Sequence, residues 1–398
     1  MKSRQQGNIA NAHRWLNCGH SGAKDAFDAG AAATRDAIGG RGDPALLIVF
    51  CSAAYNLDEL ARGIASEARA TPLIGCSTAG EIATAGPTDA SIVVTALGGS
   101  GFSASTGAAT GASGNLRQCA SDAVGDCMRG FEDRGNSVIM LFTDGLGGDQ
   151  MEIIRGAYEQ VGAEIPLVGG CAGDDLKMER TFQLFGERVL TDAVVAAAIS
   201  SDAPIGIGVQ HGWRPVGEPM LVTASNGNVV EALDDRPALD VYLERLDAPV
   251  EVREHADAFT RFALTHPLGV TRRRGAEVRF VAEADFATRS LSCIANVPQG
   301  GLAWIMEGDE SSVLAATDGA CAEASAALGG HPPIGILAFD CIARRGVLGD
   351  AGIVTEIAQI AKFADDAPVA GFYTYGEIAR TTGRQGFHNQ TLVVLAVS

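Results

Sequence analysis

Two glutamates, Glu81 and Glu377, stand at the same place in two copies of one short pattern. Carboxylates placed that way could meet the ammonium group of a ligand. The first copy is Pro72-Leu-Ile-Gly-Cys-Ser-Thr-Ala-Gly-Glu-Ile-Ala83, and the second is Pro368-Val-Ala-Gly-Phe-Tyr-Thr-Tyr-Gly-Glu-Ile-Ala379. A looser copy, Pro166-Leu-Val-Gly-Gly-Cys-Ala-Gly-Asp-Asp-Leu176, has Asp175 where the others have glutamate. The competing role for each carboxylate is to accept N–H bonds from its own glycine loop, the commoner use of an acid in such a turn.

Four further groupings could carry chemistry. His211 is followed by Gly212 and Trp213; an imidazole there could be the proximal ligand of a haem, with the indole against the macrocycle. The competing role is a strand-end histidine bonded to a neighbouring carbonyl. His388 and His266 are the other candidate imidazoles, and Cys341 or Cys76 would supply a thiolate instead. Cys341 with Arg344 suggests a thiol nucleophile whose pKa a guanidinium lowers. That also requires a histidine base, and a buried cysteine beside a structural arginine ion pair is the stronger explanation of the two residues. Tyr373 and Tyr375 alternate with Phe372 and Thr374 as a pocket wall or a core edge. The glycine-rich Thr143-Asp-Gly-Leu-Gly-Gly-Asp149 invites a phosphate-loop reading. No lysine follows it and both aspartates repel an anion, so turn and capping chemistry, with Asp149 as N-cap, accounts for it better.

These residues need elements to hold them. An apolar run precedes each glycine pattern: Leu46–Phe50, Val138–Phe142 and Ile334–Phe339. Another follows each: Ser91–Leu97, Ala193–Ile199 and Thr391–Val397. The unit is strand, helix, strand with glycine loop, strand, used three times. Residues 1–22 read as a loosely attached polar segment, Lys24 to Ile38 as a helix, and Gly98 to Gly114 as a connector. Helices are expected over 58–68, 116–131, 150–161, 236–246, 256–264, 309–328 and 352–363. Strands are expected over 205–211, 219–224, 228–231, 277–284, 290–297 and 302–306, with a tight hairpin at Asn226-Gly227.

Composition narrows the class. Apolar residues make up 46% of 398 and charged ones 20%, which suits a substantial core. The net charge of -18 argues against nucleic acid and anionic membrane surfaces as partners. Nine scattered cysteines without a CxxC pair, and an N-terminus without an apolar signal region, point to reduced thiols in the cytoplasm. No run is long enough to span a bilayer.

With these motifs assembled, the chain resembles the FIST family of bacterial signal-transduction sensor domains. The resemblance rests on Gly75-Cys-Ser-Thr-Ala-Gly-Glu-Ile82, Gly169-Gly-Cys-Ala-Gly-Asp174, His211-Gly-Trp-Arg-Pro215, Cys341-Ile-Ala-Arg344, Gly371-Phe-Tyr-Thr-Tyr-Gly-Glu-Ile378 and Phe387-His-Asn-Gln-Thr-Leu392. It implies a small-molecule sensor acting on a separate effector such as a histidine kinase or cyclic-dinucleotide enzyme. It also implies haem b and nitric oxide as the ligands, as in a haem-binding subgroup, with His211 on the iron. The expected fold is α/β: repeated units in two mixed sheets flanked by helices, a layered body in two halves. The expected divisions are an N-terminal segment 1–40, a FIST N-type domain 41–246 and a FIST C-type domain 247–398. The candidate ligand cleft between the halves draws on Gly75, Cys76, Gly80, Glu81, Gly170, Asp174, Cys341, Arg344, Tyr373, Tyr375, Gly376, Glu377, His388 and Asn389. The alternatives are an amino-acid or metabolite binding module without haem, and a cysteine-dependent enzyme; no enzymatic activity is the expectation.

Overall fold

The computed structural model describes residues 13–272, 275–381 and 386–398. Three repeats of one larger unit build its main body. The first runs through strand Trp15–Ser21, helix Ala26–Ile38, strand Pro44–Ser52, helix Leu57–Ala68, strand Leu73–Thr78, the hairpin Glu81–Ala83/Gly86–Thr88 and strand Ile92–Gly98. The second follows the same order from Phe102–Thr110 to Ala193–Ser201, and the third from Ile205–Gln210 to Leu392–Val397. In each, the two central strands are parallel, joined by a helix, and the returning strand lies antiparallel beside them. Such strands are covered on both faces and read as continuous apolar runs, which is why the three runs stand out in the sequence.

The hairpins are exchanged. The first repeat's hairpin completes the third repeat's sheet, pairing Gly371 with Ile82. The second repeat's hairpin, Gln183–Phe185/Arg188–Leu190, completes the first sheet. The third repeat's, Glu377–Arg380/Phe387–His388, completes the second. The three six-stranded sheets thereby form a closed cycle. Alternate residues of the central strands point inward to one shared core, where the equivalent Phe50, Phe142 and Phe339 meet with ring centroids 5.5 to 6.3 Å apart. Phe372 stacks on Phe50 at 4.7 Å, at a level where the other two repeats carry only Cys76 and Gly170. The outward residues, Leu47, Val49 and Cys51 in the first repeat, lie beneath that repeat's own helices.

The third repeat is interrupted between its first strand and first helix. Residues 214–307 form a separate body with an eight-stranded sheet, three helices and its own core around Leu239, Tyr242, Phe259 and Leu291. The structure thus has four sheets where two are expected, three mixed and one antiparallel, because the exchanged hairpins split the repeats into three sheets and the insertion adds an antiparallel one. The expected boundary at 246/247 falls inside this body.

Two segments differ from the sequence reading. Residues 15–21 are an edge strand of the first repeat, so the body begins within the stretch expected to be loose; residues 1–12 of that stretch lie outside the described residues. The expected connector contains the strand Phe102–Thr110. Its Ser, Ala and Gly side chains are small because helix Leu116–Arg129 lies almost against its backbone: a Cβ on Gly107 would sit 2.2 Å from the Ala123 carbonyl oxygen. The helix over 352–363 belongs to Ile342–Ala364, interrupted at Gly349 where φ is 61°.

Candidate functional site

The carboxylates of Glu81 and Glu377 are fully buried and turned into their own loops. Glu81 accepts from the Thr78 hydroxyl at 2.5 Å and from the Ser91 hydroxyl and N–H at 2.6 and 3.2 Å. Glu377 accepts from Thr374 at 2.6 Å and from the Thr391 N–H at 3.1 Å. Burial pushes their pKa values up to about 7 and about 8, against which the hydroxyl donors work. Each acid locks its own hairpin, and neither is among the residues lining the cavity described below. The first glycine of each pattern serves close approach: a Cβ at Gly75, Gly169 or Gly371 would fall 1.9 to 2.4 Å from a carbonyl oxygen of the neighbouring strand.

His211-Gly-Trp213 forms the entry to the inserted body. The Trp213 indole donates to the Gln390 carbonyl at 3.1 Å and covers Gly308, where the chain returns to the repeat. Gly212 has φ of 83° and lies against the backbone of Ser312. Arg344 is fully buried, bonded to Asp340 at 2.7 Å and Glu356 at 2.5 Å, and donates to the His211 carbonyl at 3.2 Å. The motif with its arginine is therefore the clamp on the hinge of the insertion.

Haem b does not fit these residues. Nδ1 of His211 accepts the Trp213 N–H at 2.9 Å. In a neutral imidazole that leaves the proton on Nε2, the nitrogen an iron would need. The indole that would face a macrocycle is buried against Gly308, Val278 and Met306. His388 Nε2 lies 2.9 Å from the Ala379 carbonyl oxygen, and His266 is stacked on Phe262. The thiols of Cys341 and Cys76 are buried, which pushes their pKa values well above the ordinary value, and nearby Glu377 and Cys51 add to this. No thiolate is favoured, and Arg344 is committed to two carboxylates, so the Cys341–Arg344 pair lacks the chemistry of a nucleophile. Among the described residues, no group of three or more His, Cys, Asp or Glu side chains is gathered to hold a metal ion.

In α/β sheets ligands bind outside the carboxyl ends of parallel strands, and the three repeats offer three such ends. At the first, Ser52 donates to Asp175 at 2.9 Å and Ser77 to the Gly173 carbonyl at 2.6 Å, so the second repeat's loop bridges it. At the third, Arg345 holds Asp89 through two bonds of 2.7 and 2.8 Å and lies over the Tyr373 ring. At the second, beyond Thr143 and Cys171, a cavity of about 560 Å³ opens. One wall is the loop Gly145–Gln150, another is Cys171, Tyr375 and Phe387, and the inserted body closes the third with Asn228, Glu283 and Cys293.

The cavity's supports are well defined. Gln150 Oε1 accepts from Thr143 at 2.9 Å, and its amide nitrogen donates to the Asp144 carbonyl at 2.9 Å. Asn228 donates to the Cys293 carbonyl at 2.7 Å. At the rim, Asp174 accepts the Tyr375 hydroxyl at 2.5 Å and the N–H groups of Met178, Glu179 and Arg180 at 2.7 to 2.9 Å. Burial opposes its ionised form, yet these donors hold its pKa below the usual value. The loop they fix carries Asp175, Leu176 and Met178 at positive φ, with Leu176 60% and Met178 58% exposed. Non-glycine residues held there store strain, which persists where the surroundings over-determine it. Burial pushes the Cys171 and Cys293 thiols up to about 12, so both line the cavity as neutral groups.

Of the residues singled out from sequence, Tyr375 lines this cavity and Asp174 shapes its rim. Gly75, Cys76, Gly170 and Tyr373 are in the interior, Gly80 touches Arg345, Gly376 touches Phe387, and Asn389 is buried. Asp149, Gln150, Asn228, Glu283, Cys293 and Phe387 were not singled out as cavity residues. The Asp144–Asp149 loop and the Asn226-Gly227 hairpin were the available signals, each read as turn chemistry alone.

Comparison with known proteins adds a family. Residues 45–236 match the model of the FIST N domain and residues 238–380 that of the FIST C domain. An uncharacterized protein of Methanocaldococcus jannaschii is 32% identical over 113 residues, 26% of this chain and 22% of that protein. An uncharacterized protein of Mycobacterium tuberculosis is 28% identical over 243 residues, 58% of this chain and 62% of that protein. The chain thus spans less than two thirds of either relative. Among solved structures, a cyanuric acid hydrolase aligns over 97% of the chain at 11% identity and a TM-score of 0.33.

Proposed function

This chain belongs to the FIST family, whose domains are small-ligand sensory domains in signalling, and on that premise we propose that its ligand occupies the cavity at the second repeat. The carrying observation is that the strand ends of the second repeat open on a cavity that the inserted body closes, with the Tyr375–Asp174 bond at its rim. A ligand there touches the repeats and the insertion together. Its binding energy therefore biases the position of one against the other, which is what a sensor requires. The clamp of Trp213, Gly212 and Arg344 is the hinge across which that bias acts.

The function is ligand binding and not catalysis, a reading supported by the neutral, buried thiols. The receiver of the signal is a separate effector, a histidine kinase or a cyclic-dinucleotide enzyme, on the strength of the family resemblance. Nine unpaired cysteines suit a reducing compartment, the cytoplasm, and among the described residues no helix is long and apolar enough to cross a membrane.

The test is a thermal-shift panel of small metabolites on the full chain and on Ala282→Trp, which places an indole in the cavity from a half-exposed wall position. A true ligand raises Tm of the wild type by several degrees at saturating concentration and leaves the variant unmoved. Ligands that stabilise both proteins equally would place the site elsewhere.

A further inference from the structure

We infer that the cavity selects a small organic cation, an amine without carboxylate or phosphate. This rests on the cavity being the ligand site. Among the described residues its lining includes two carboxylates, Asp149 and Glu283, and no Lys, Arg or His. The other polar side chains are the amides of Gln150, Asn228 and Asn296, hydroxyls and neutral thiols, and the amide nitrogens of Gln150 and Asn228 already donate to protein carbonyls.

Recognition of an anion needs cationic side chains or a cradle of free N–H groups. The strand-to-helix loop is where such a cradle would form, but three of its N–H groups are taken. Leu146 donates to the Asp144 carboxylate at 2.9 Å, Gly147 to the Asp144 carbonyl at 3.4 Å and Met151 to the Asp149 carboxylate at 3.0 Å. Asp149 also sits at the positive end of helix Met151–Val161 and offsets the dipole that would draw an anion there.

The apolar lining points the same way. Tyr375 and Phe387 supply aromatic surface, whose negative faces attract an organic cation. The Tyr375 hydroxyl is bonded to Asp174, which leaves its ring as the group offered to a ligand. The net charge of -18 raises the local concentration of a cation before it arrives.

A closely matched pair of probes tests this: 1,5-diaminopentane, and lysine, which is the same skeleton bearing a carboxylate. Glutarate is the anionic counterpart. Titration calorimetry on the full chain should show the diamine binding at least tenfold more tightly than lysine, and glutarate not at all. Glu283→Gln, an exposed position that leaves the fold intact, should weaken the diamine about tenfold, and Ala282→Trp should abolish its binding. Lysine or glutarate binding as tightly as the diamine, and blocked by Ala282→Trp, would overturn the cation while leaving the cavity as the site. Diamine binding untouched by Ala282→Trp would overturn the cavity itself. A wild type that binds none of the three probes would overturn the cation.

Discussion

Glu377 is an acid held where an ionised group is disfavoured, and this has a consequence for stability. Its folded pKa, about 8, lies above the free value of 4.5. Between those values the folded chain holds a proton that the unfolded chain has released, so stability is fullest below about pH 4.5 and falls as pH rises through 8. The slope is about 1.4 kcal/mol per pH unit for one such group. Glu377→Gln can accept the Thr391 N–H bond on its amide oxygen and cannot ionise. Urea midpoints at pH 5.5 and 8.5 should differ less in the variant than in the wild type, with the variant the more stable at pH 8.5. An unchanged pH slope would show that the glutamate is already ionised in the fold. The sequence carried the signal for this locking role: a threonine stands three residues before each glutamate, at Thr78 and Thr374. The cavity was harder to read, because Asp149 and Glu283 belong to distant segments and meet only through the placement of the inserted body.

At the level of strands and helices, the glycines that open each pattern are the most demanding positions. Gly169 has φ of 134° and would place a Cβ 2.0 Å from the Leu141 carbonyl oxygen. Gly169→Ala should destabilise by about 2–4 kcal/mol in chemical denaturation, from overpacking and a disfavoured backbone together. Gly346→Ala, inside helix Ile342–Ala364 with nothing within 4 Å of the added carbon, should be neutral or stabilising by up to about 1 kcal/mol. Equal losses at both positions would contradict the close-approach account. The repeat was legible because buried parallel strands are continuous apolar runs and because this steric demand fixes a glycine in all three copies. The edge strands were less so. Phe102–Thr110 lacks an apolar run, since its small side chains let a helix approach, and the edge strand Trp15–Ser21 interleaves Asn17, His20 and Ser21 with its apolar residues.

Across the whole molecule, the exchanged hairpins tie each sheet to the next repeat, so no repeat can open without disturbing a second. Hydrogen exchange should give the hairpin strands over 81–88, 183–190, and 377–380 with 387–388 one common opening free energy, with the inserted body, on its own core, free to differ. Hairpins that exchange independently, each at its own value, would show that the cycle is not cooperative. The same cycle sets a schedule for synthesis. The hydroxyl of Thr84 in the first hairpin bonds the Val369 carbonyl, 285 residues further along the chain. At about 5–20 residues per second on the ribosome, that hairpin waits roughly 15 to 60 s for its partner strand. Through that interval the nascent chain carries an unpaired strand edge, the kind of surface that holdase chaperones cover. Strand Val369–Thr374 thus both belongs to the third repeat and relieves a need created by the first.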